Sequence, residues 1–220
     1  MNIEAVIFDM DGVIFDSEKV VYNLWVEYGA KVGLKDVGDV IYKCIGINKT
    51  ATKKIFAEAY GEDFSYDEHR KHISAGYHEL CDGGKLPKKP GIEEILISLR
   101  DKNIKTAVAS STATDLVNRQ LKDAGLYDYF VTTIGGDMVS RSKPDPDIFL
   151  KAAEELKVSP SACIVIEDSH NGIKAAHNAN MNAIMVPDLL PPNEEMEAKS
   201  LRICKDLFEA SSFIDSLMGS

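Results

Sequence analysis

The chain has 220 residues, of which 45% are hydrophobic, and a formal net charge of −10. This length is enough for one good hydrophobic core, or for a core with a small accessory domain. The negative charge argues against nucleic acid or an anionic membrane as the main partner, but it leaves room for a local positive pocket that binds a phosphorylated metabolite. The apolar runs are too short to cross a bilayer and the four cysteines are dispersed, so we expect a cytoplasmic protein with reduced thiols.

The first predicted element is a strand over residues 6–8, which stops at Asp9 and leads into Asp11 and Gly12. An apolar, β-branched run that stops abruptly at an acid is typical of a buried strand whose end emerges into solvent. Two carboxylates this close repel each other unless a cation neutralises them or one of them is protonated. Taken alone the motif could be an acidic turn, but an oxygen-seeking ion such as Mg²⁺ is its natural partner.

Residues 16–86 differ from the rest of the chain, because they contain no convincing strand. They predict amphipathic helices around residues 20–31 and 50–60, and a third helix that starts at Ser65 with capping-box spacing. We interpret residues 16–86 as a small helical cap domain, inserted into an α/β core made of residues 1–15 and 87–220. Such a lid could exclude water and select the substrate.

Further apolar runs in the core also stop at polar residues. The predicted strands cover residues 106–109, 164–166, 183–186 and, more weakly, 130–134. The predicted helices cover residues 92–102, 171–178, 200–217 and a stretch that starts with a capping box at Thr112. This alternation predicts a doubly wound, Rossmann-like parallel sheet with helices on both faces. Ligands bind beyond the carboxyl ends of the strands in such sheets, where these polar residues lie.

The polar residues of the core supply the other parts of a phosphoryl-transfer site. Ser110 can hold phosphate oxygens, together with the amide of Ser111 at a helix N-terminus. Lys143 can neutralise a phosphate or an acyl-phosphate, and Asp168, with Glu167 beside it, can complete a metal shell. Each residue alone has an ordinary explanation, as a helix cap or as a solvated charge. The prediction therefore depends on their combination.

Together these segments resemble the four sequence motifs of the haloacid dehalogenase superfamily, in its β-phosphoglucomutase-like branch with a helical cap. The motifs are DxDG at residues 9–12, a strand-ending serine at 110, KPDPxxF at 143–149 and IEDSxxG at 166–172. The resemblance extends over nearly the whole chain. It implies that Asp9 attacks the phosphoryl group to form an aspartyl-phosphate, and that Asp11 protonates the leaving oxygen and then deprotonates the hydrolytic water.

The resemblance also implies the binding groups. Ser110 and Lys143 would bind the transferring phosphoryl group. Mg²⁺ would be held by Asp9, the backbone carbonyl of Asp11 and Asp168, with Glu167 nearby, directly or through water. The metal and the lysine would relieve the repulsion between an anionic nucleophile and an anionic phosphate.

Differences between this sequence and particular members of the superfamily narrow the range of activities that we expect. Dehalogenases and phosphonatases of this superfamily lack the second aspartate, so Asp11 argues against both chemistries. β-Phosphoglucomutase carries a cap histidine in the stretch that corresponds to residues 16–23, and this chain has none there. Relatives that grip a distal phosphate use a cap-loop arginine, whereas the loop at residues 46–49 offers Lys49. A lysine at this position supplies positive charge but cannot form the bidentate hydrogen bonds of an arginine. The alternative is that Lys49 is simply solvated.

The sequence therefore predicts a Mg²⁺-dependent phosphatase that hydrolyses small phosphomonoesters, with sugar phosphates as the expected substrates. The alternative within enzymes is a hexose phosphomutase of the same architecture. A more distant alternative is a phospho-acceptor signalling domain, which is about half this length and has no inserted cap. We expect a monomer or a weak homo-oligomer.

Overall fold

The computed structural model of the chain describes residues 1–45 and 49–219. Six strands lie in these residues: β1 (Ala5–Phe8), β2 (Lys105–Ala109), β3 (Thr132–Ile134), β4 (Cys163–Glu167), β5 (Asn182–Met185) and β6 (Arg202–Ile203). They form one sheet in the order β3-β2-β1-β4-β5-β6, and every neighbouring pair is parallel. The predicted parallel sheet is confirmed, although β6 was not predicted.

The α-helices of the described residues fall into two groups. Four lie between β1 and the rest of the core: α1 (Ser17–Val32), α2 (Val37–Tyr42), α3 (Lys49–Tyr60) and α4 (Tyr66–Cys81). The others alternate with the strands: α5 (Ile92–Asp101), α6 (Thr114–Asp123), α7 (Asp147–Leu156), α8 (His170–Asn178), α9 (Glu194–Lys199) and α10 (Leu207–Met218). None of the helices described here has the length and apolar character needed to cross a membrane.

Both faces of the sheet are covered by helices. Alternate residues of a strand point to opposite faces, and in β1 Phe8 joins a buried cluster with Leu96 of α5 and Leu121 of α6. Ile7, on the other face, joins a cluster with Phe149 of α7. Strands that are buried on both faces must be apolar throughout, which is why the first strand has no polar residue before its end.

The strand register brings the predicted site together. Phe8 of β1 is level with Val108 of β2 on one side and with Ile166 of β4 on the other. The residues that follow these three strands therefore emerge at one edge of the sheet, at its centre. The central strand of a doubly wound sheet is the usual position for a ligand site.

The C-terminal part of the chain differs from its prediction. Residues 200–217 were expected to form one helix, but Leu201 and Cys204 donate backbone hydrogen bonds to Ala183 and Met185, so this part begins as the edge strand β6. Helix α10 starts only after Asp206, whose carboxylate accepts a hydrogen bond from the amide of Glu209. The acid that caps the helix was the sequence signal for this later start.

Residues 16–86, called the inserted segment below, have an apolar cluster of their own. Trp25 of α1 packs against Phe56 of α3, with ring centroids 4.9 Å apart, and both rings contact Tyr66. The two connections to the core pair with each other, because Asp16 donates a backbone hydrogen bond to Pro87 and Lys89 donates one to Ile14. The inserted segment therefore leaves and re-enters the core at one place, beside the carboxyl end of β1.

Candidate active site

Asp9 follows β1 directly and lies at the centre of the site. It is 6% exposed, and its carboxylate accepts a short hydrogen bond from the Lys143 ammonium. Lys143 also donates to Glu167 Oε1 at 2.7 Å and to the carbonyl of Ala109 at 3.2 Å. Its ammonium lies 4.9 Å from the ring centroid of Phe149. The lysine is thus a buried cation held between two carboxylates, which is the arrangement that a buried charge requires.

The electrostatics of this group are set by burial and by its neighbours. Burial raises the pKa of Asp9 from 3.8 to about 8, against the opposing effect of Lys143. Burial lowers the pKa of Lys143, but the Asp9 and Glu167 carboxylates outweigh this and raise it above its ordinary value. Lys143 therefore stays a cation, while Asp9 favours protonation unless further positive charge is supplied.

Asp11 is held by hydroxyl groups. Ser17 donates to its Oδ1 at 2.6 Å, and Thr112 donates to its Oδ2 at 3.0 Å. Ser110 is 3.4 Å from Oδ2. The predicted capping box at Thr112 is wrong, because α6 begins later, after Ala113, and Thr112 is used to orient Asp11 instead.

Two glycines allow the acidic residues to approach the backbone closely. Gly12 has a φ of 86°, and a Cβ atom at this position would lie 2.4 Å from Asp168 Oδ2. A Cβ atom at Gly172 would lie 1.8 Å from Glu167 Oε1. These are the glycines of the first and fourth motifs, and the close approach explains why another residue would not fit.

Asp9, Glu167 and Asp168 form a group that suits a metal ion. Their ligand atoms lie within 4.8 Å of one another, and all three residues are buried. Carboxylate oxygens are the ligands that hard divalent cations such as Mg²⁺ prefer. Each oxygen of Glu167 also accepts a hydrogen bond, one from Lys143 and the other from the amide of Ser169 at 2.6 Å.

These residues open into a cavity of about 630 Å³ between the core and the inserted segment. Asp9, Asp11, Ser111, Lys143, Glu167 and Asp168 line one wall, together with Thr112 and Gln120 of the core. Further lining residues come from the inserted segment and include Ser17, Glu18, Lys49, Arg70, Tyr77 and His78. The inserted segment and the core contact each other directly where Gln120 donates a hydrogen bond to the Tyr77 hydroxyl at 2.9 Å.

The remaining predicted residues have less central positions. Ser111 lies in the cavity wall but is exposed and stands three positions before the first residue of α6, so its amide is not at the helix N-terminus as expected. Lys49 begins α3, its side chain is 63% exposed, and it forms a 2.9 Å ion pair with Asp67. The other residues of the predicted cap loop, 46–48, lie outside the described part of the chain.

Glu18 and Arg70 were not predicted as site residues. Glu18 follows Ser17 just after the first motif, and burial together with Asp11 and Asp9 raises its pKa from 4.5 to about 8. Arg70 lies on the face of α4 that also presents Tyr66 and Tyr77 to the cavity. This four- and seven-residue spacing is helical and was readable in the sequence, but the sequence alone did not show which face of the helix meets the core.

The raised pKa values predict how stability depends on pH. A carboxyl whose folded pKa lies above its unfolded pKa stabilises the fold at low pH, and this stabilisation is lost as the pH rises through the folded pKa. For Asp9 and Glu18 the loss falls between their ordinary values, 3.8 and 4.5, and about 8. Lys143 stays charged throughout this interval.

We therefore expect the Tm of the chelator-treated protein to decrease as the pH is raised from about 5 to about 8. Millimolar Mg²⁺ should restore much of the loss at the higher pH. Differential scanning calorimetry of the protein and of its Glu18→Gln variant checks this, and the variant should show a flatter pH profile in chelator. A Tm that rises over the same interval would contradict the conclusion that burial and neighbouring carboxylates destabilise the ionised forms of these groups.

Comparisons with known proteins agree with the fold and the site residues described above. Residues 6–186 match the family of haloacid dehalogenase-like hydrolases. A phosphorylated carbohydrates phosphatase of Thermotoga maritima is 32% identical over 181 residues, which cover 82% of this chain and 83% of that protein. A β-phosphoglucomutase of Bacillus subtilis is 31% identical over 189 residues, with 83% of each chain covered.

A solved structure supports the same relationship. The β-phosphoglucomutase of Clostridium difficile superimposes with a TM-score of 0.72 at 28% identity, and the match covers 98% of this chain and 99% of that one. The match to the family includes all four motifs, from Asp9 to Gly172. The chain belongs to the haloacid dehalogenase-like hydrolase family.

Proposed function

We propose that the protein is a Mg²⁺-dependent phosphatase that hydrolyses small phosphomonoesters, with sugar phosphates as its substrate class. The observation that carries this proposal is the position of Asp9. Its buried carboxylate pairs with Lys143, forms an acidic group with Glu167 and Asp168, and lines the cavity that the core shares with the inserted segment. A carboxylate nucleophile next to a fixed cation and a metal site is the arrangement that phosphoryl transfer needs.

In the first step, a carboxylate oxygen of Asp9 forms a bond to phosphorus and the bond from phosphorus to the ester oxygen breaks. Asp11 gives its proton to that leaving oxygen. The hydroxyls of Ser17 and Thr112 hold the Asp11 side chain in place. In the second step, Asp11 takes a proton from water as the water oxygen attacks phosphorus. Asp9 is released as a carboxylate together with inorganic phosphate.

The other residues of the site would bind the phosphoryl group and the metal ion and would balance the negative charge. Lys143 would bind the transferring phosphoryl group together with the Ser110 hydroxyl and the Ser111 amide. Asp9, Asp168 and the backbone carbonyl of Asp11 would hold Mg²⁺, which supplies positive charge between two anions. Glu167 would act on the metal directly or through water, while it also accepts hydrogen bonds from Lys143 and from the amide of Ser169.

The inserted segment would act as the cap over this site. Its helices supply one whole wall of the cavity, so its closure would exclude water and its side chains would meet the leaving group of the substrate. Lys49 is retained as a substrate residue on the strength of its place in this wall. The expectation of a cytoplasmic monomer or weak homo-oligomer stays a prediction.

Sugar phosphates are favoured by two considerations. The Thermotoga maritima relative is named for its action on phosphorylated carbohydrates, and the cavity wall offers several hydroxyl, carboxylate and guanidinium groups that could bind sugar hydroxyls.

The phosphomutase alternative is supported by the Bacillus subtilis relative. Against it, the described residues of α1 that line the cavity are Ser17, Glu18, Val21 and Trp25, with no histidine among them. The inserted helices, which phospho-acceptor signalling domains lack, favour an enzyme over such a domain.

One assay separates hydrolysis from isomerisation. The protein is given a hexose 1-phosphate with Mg²⁺ and a trace of the hexose 1,6-bisphosphate, and both inorganic phosphate and hexose 6-phosphate are measured. We expect stoichiometric release of phosphate over many turnovers, and no release when a chelator is present. Conversion to the 6-phosphate without net release of phosphate would overturn the proposal in favour of the mutase.

A further inference from the structure

A second group of carboxylates lies beside the proposed metal site. Glu18, Asp168 and Asp188 have ligand atoms within 4.8 Å of one another. They come from three different parts of the fold: Glu18 from the first turn of α1 in the inserted segment, Asp168 from the end of β4, and Asp188 from the loop after β5. Asp168 is shared with the group of Asp9 and Glu167.

The outer two residues of this second group need hydrogen-bond donors. Glu18 Oε2 and Asp188 Oδ2 are both buried and have no hydrogen-bond partner among the described residues. The Asp188 side chain is 9% exposed, and only its other oxygen is used, as the acceptor from Lys89 at 2.6 Å. A buried carboxylate oxygen without a donor loses its hydration and gains nothing in return, so these atoms indicate a missing donor.

The surrounding side chains also favour a cation over a neutral donor. The two groups and Asp11 together contain six carboxyl side chains, Asp9, Asp11, Glu18, Glu167, Asp168 and Asp188. The lysines paired with them are Lys143 and Lys89, and Lys89 also pairs with Asp16 at 3.5 Å. Carboxyl groups therefore outnumber ammonium groups around this largely buried volume, and a divalent cation would balance them.

A hydrated Mg²⁺ ion provides donors and charge at once. Magnesium loses its water reluctantly, so it usually binds through one or two carboxylates and keeps several water ligands. Water bound to a cation is a strong hydrogen-bond donor, and residues that accept such bonds tune the affinity of a metal site. Asp168 belongs to both groups, so the water ligands of an ion held there would come within reach of Glu18 and Asp188.

We propose that Glu18 and Asp188 accept hydrogen bonds from the water ligands of the metal ion, so that a residue of the inserted segment takes part in the metal site. This inference rests on the proposed function, because it uses the same ion. Glu18 is then a positioning residue. With the ion bound, it would hold α1 on the core; without the ion, its buried Oε2 has no hydrogen-bond donor beside Asp168 and Asp188, which favours withdrawal of the inserted segment.

The experiment uses the Glu18→Ala variant and, as a matched control, Glu27→Ala. Glu27 lies on the same helix but is exposed, so it loses the same charge away from the site. Mg²⁺ binding to the resting protein is measured by isothermal titration calorimetry. We expect one ion per chain, an affinity about 10-fold weaker for Glu18→Ala, and an unchanged affinity for Glu27→Ala.

Hydrogen exchange of the α1 amides gives a readout that is independent of turnover. Mg²⁺ should slow their exchange in the parent protein and in Glu27→Ala, but not in Glu18→Ala. Glu18→Gln, which keeps the size of the side chain, should fall between parent and Glu18→Ala, and it serves in place of Glu18→Ala if that variant does not fold.

Two results would overturn the inference. One is an unchanged Mg²⁺ affinity and unchanged exchange protection in Glu18→Ala. The other is two ions per chain in the parent and one in Glu18→Ala, because Glu18 would then bind an ion of its own. If the parent itself neither binds Mg²⁺ nor releases phosphate, the proposed function fails as well. A parent that does both, beside an unaffected Glu18→Ala, rejects the Glu18 role alone.

Discussion

Substitution of Asp9 by asparagine is expected to lower kcat for phosphomonoester hydrolysis by about ten-thousand-fold or more, as loss of a nucleophile does in other covalent mechanisms. The amide has nearly the same shape as the carboxylate, but it cannot form the acyl-phosphate. Lys143 keeps Glu167 as an ion-pair partner at 2.7 Å, so the variant should fold. Phosphate release from a sugar phosphate at saturating Mg²⁺ measures the effect.

Asp123→Asn is the matched control for this substitution, because Asp123 is an exposed carboxylate at the end of α6. It should leave kcat within experimental error of the parent. If Asp9→Asn retained a tenth or more of the parent activity, the nucleophile would be another group and the proposed mechanism would be wrong.

Lys143→Met is expected to damage both stability and activity. Lys143 has a side chain that is 6% exposed and pairs with both Asp9 and Glu167. Its loss leaves two buried carboxylates without their cation, which should lower the free energy of unfolding in chelator by about 3–5 kcal/mol. Loss of its charge next to the transferring phosphoryl group should lower kcat/KM by about 100-fold or more. Urea unfolding and steady-state kinetics measure the two effects separately.

A double variant tells these two roles of Lys143 apart. Adding Glu167→Gln to Lys143→Met removes one of the uncompensated carboxylates, so it should restore part of the stability. It should not restore activity, because no positive group then faces the phosphoryl group from that side. Recovery of kcat/KM together with stability would mean that Lys143 only supports the fold.

Much of the core was readable from the sequence because each central strand is a short apolar run that ends at a reactive residue. Val6 to Phe8 before Asp9 is the clearest example, and its burial on both faces of the sheet is why the run has no polar residue. The parallel register then brings the ends of β1, β2 and β4 together without further information. The convergence of Asp9, Asp11, Ser110 and Asp168 was predictable for this reason, whereas Lys143 follows no strand and was predicted from the KPDPxxF motif in which it stands.

The second group of carboxylates was not predictable in the same way. Glu18 and Asp188 are 170 positions apart in the sequence; the path of α1 brings Glu18 to Asp168, and the pairing of β5 with β4 brings Asp188 there. Thr112 had the spacing of a helix cap, and nothing local showed that Asp11 would take its hydroxyl instead. The edge strand β6 is two residues long, too short for an alternating pattern to be recognised.

The most direct test is whether Asp9 becomes phosphorylated. The protein is mixed with Mg²⁺ and a ³²P-labelled sugar phosphate, quenched in acid during turnover, and digested for identification of the labelled peptide by mass spectrometry. We expect label on the peptide that contains Asp9, removed by hydroxylamine as for an acyl-phosphate, and none in Asp9→Asn. Release of inorganic phosphate without label on that peptide, or label on another residue, would contradict the account.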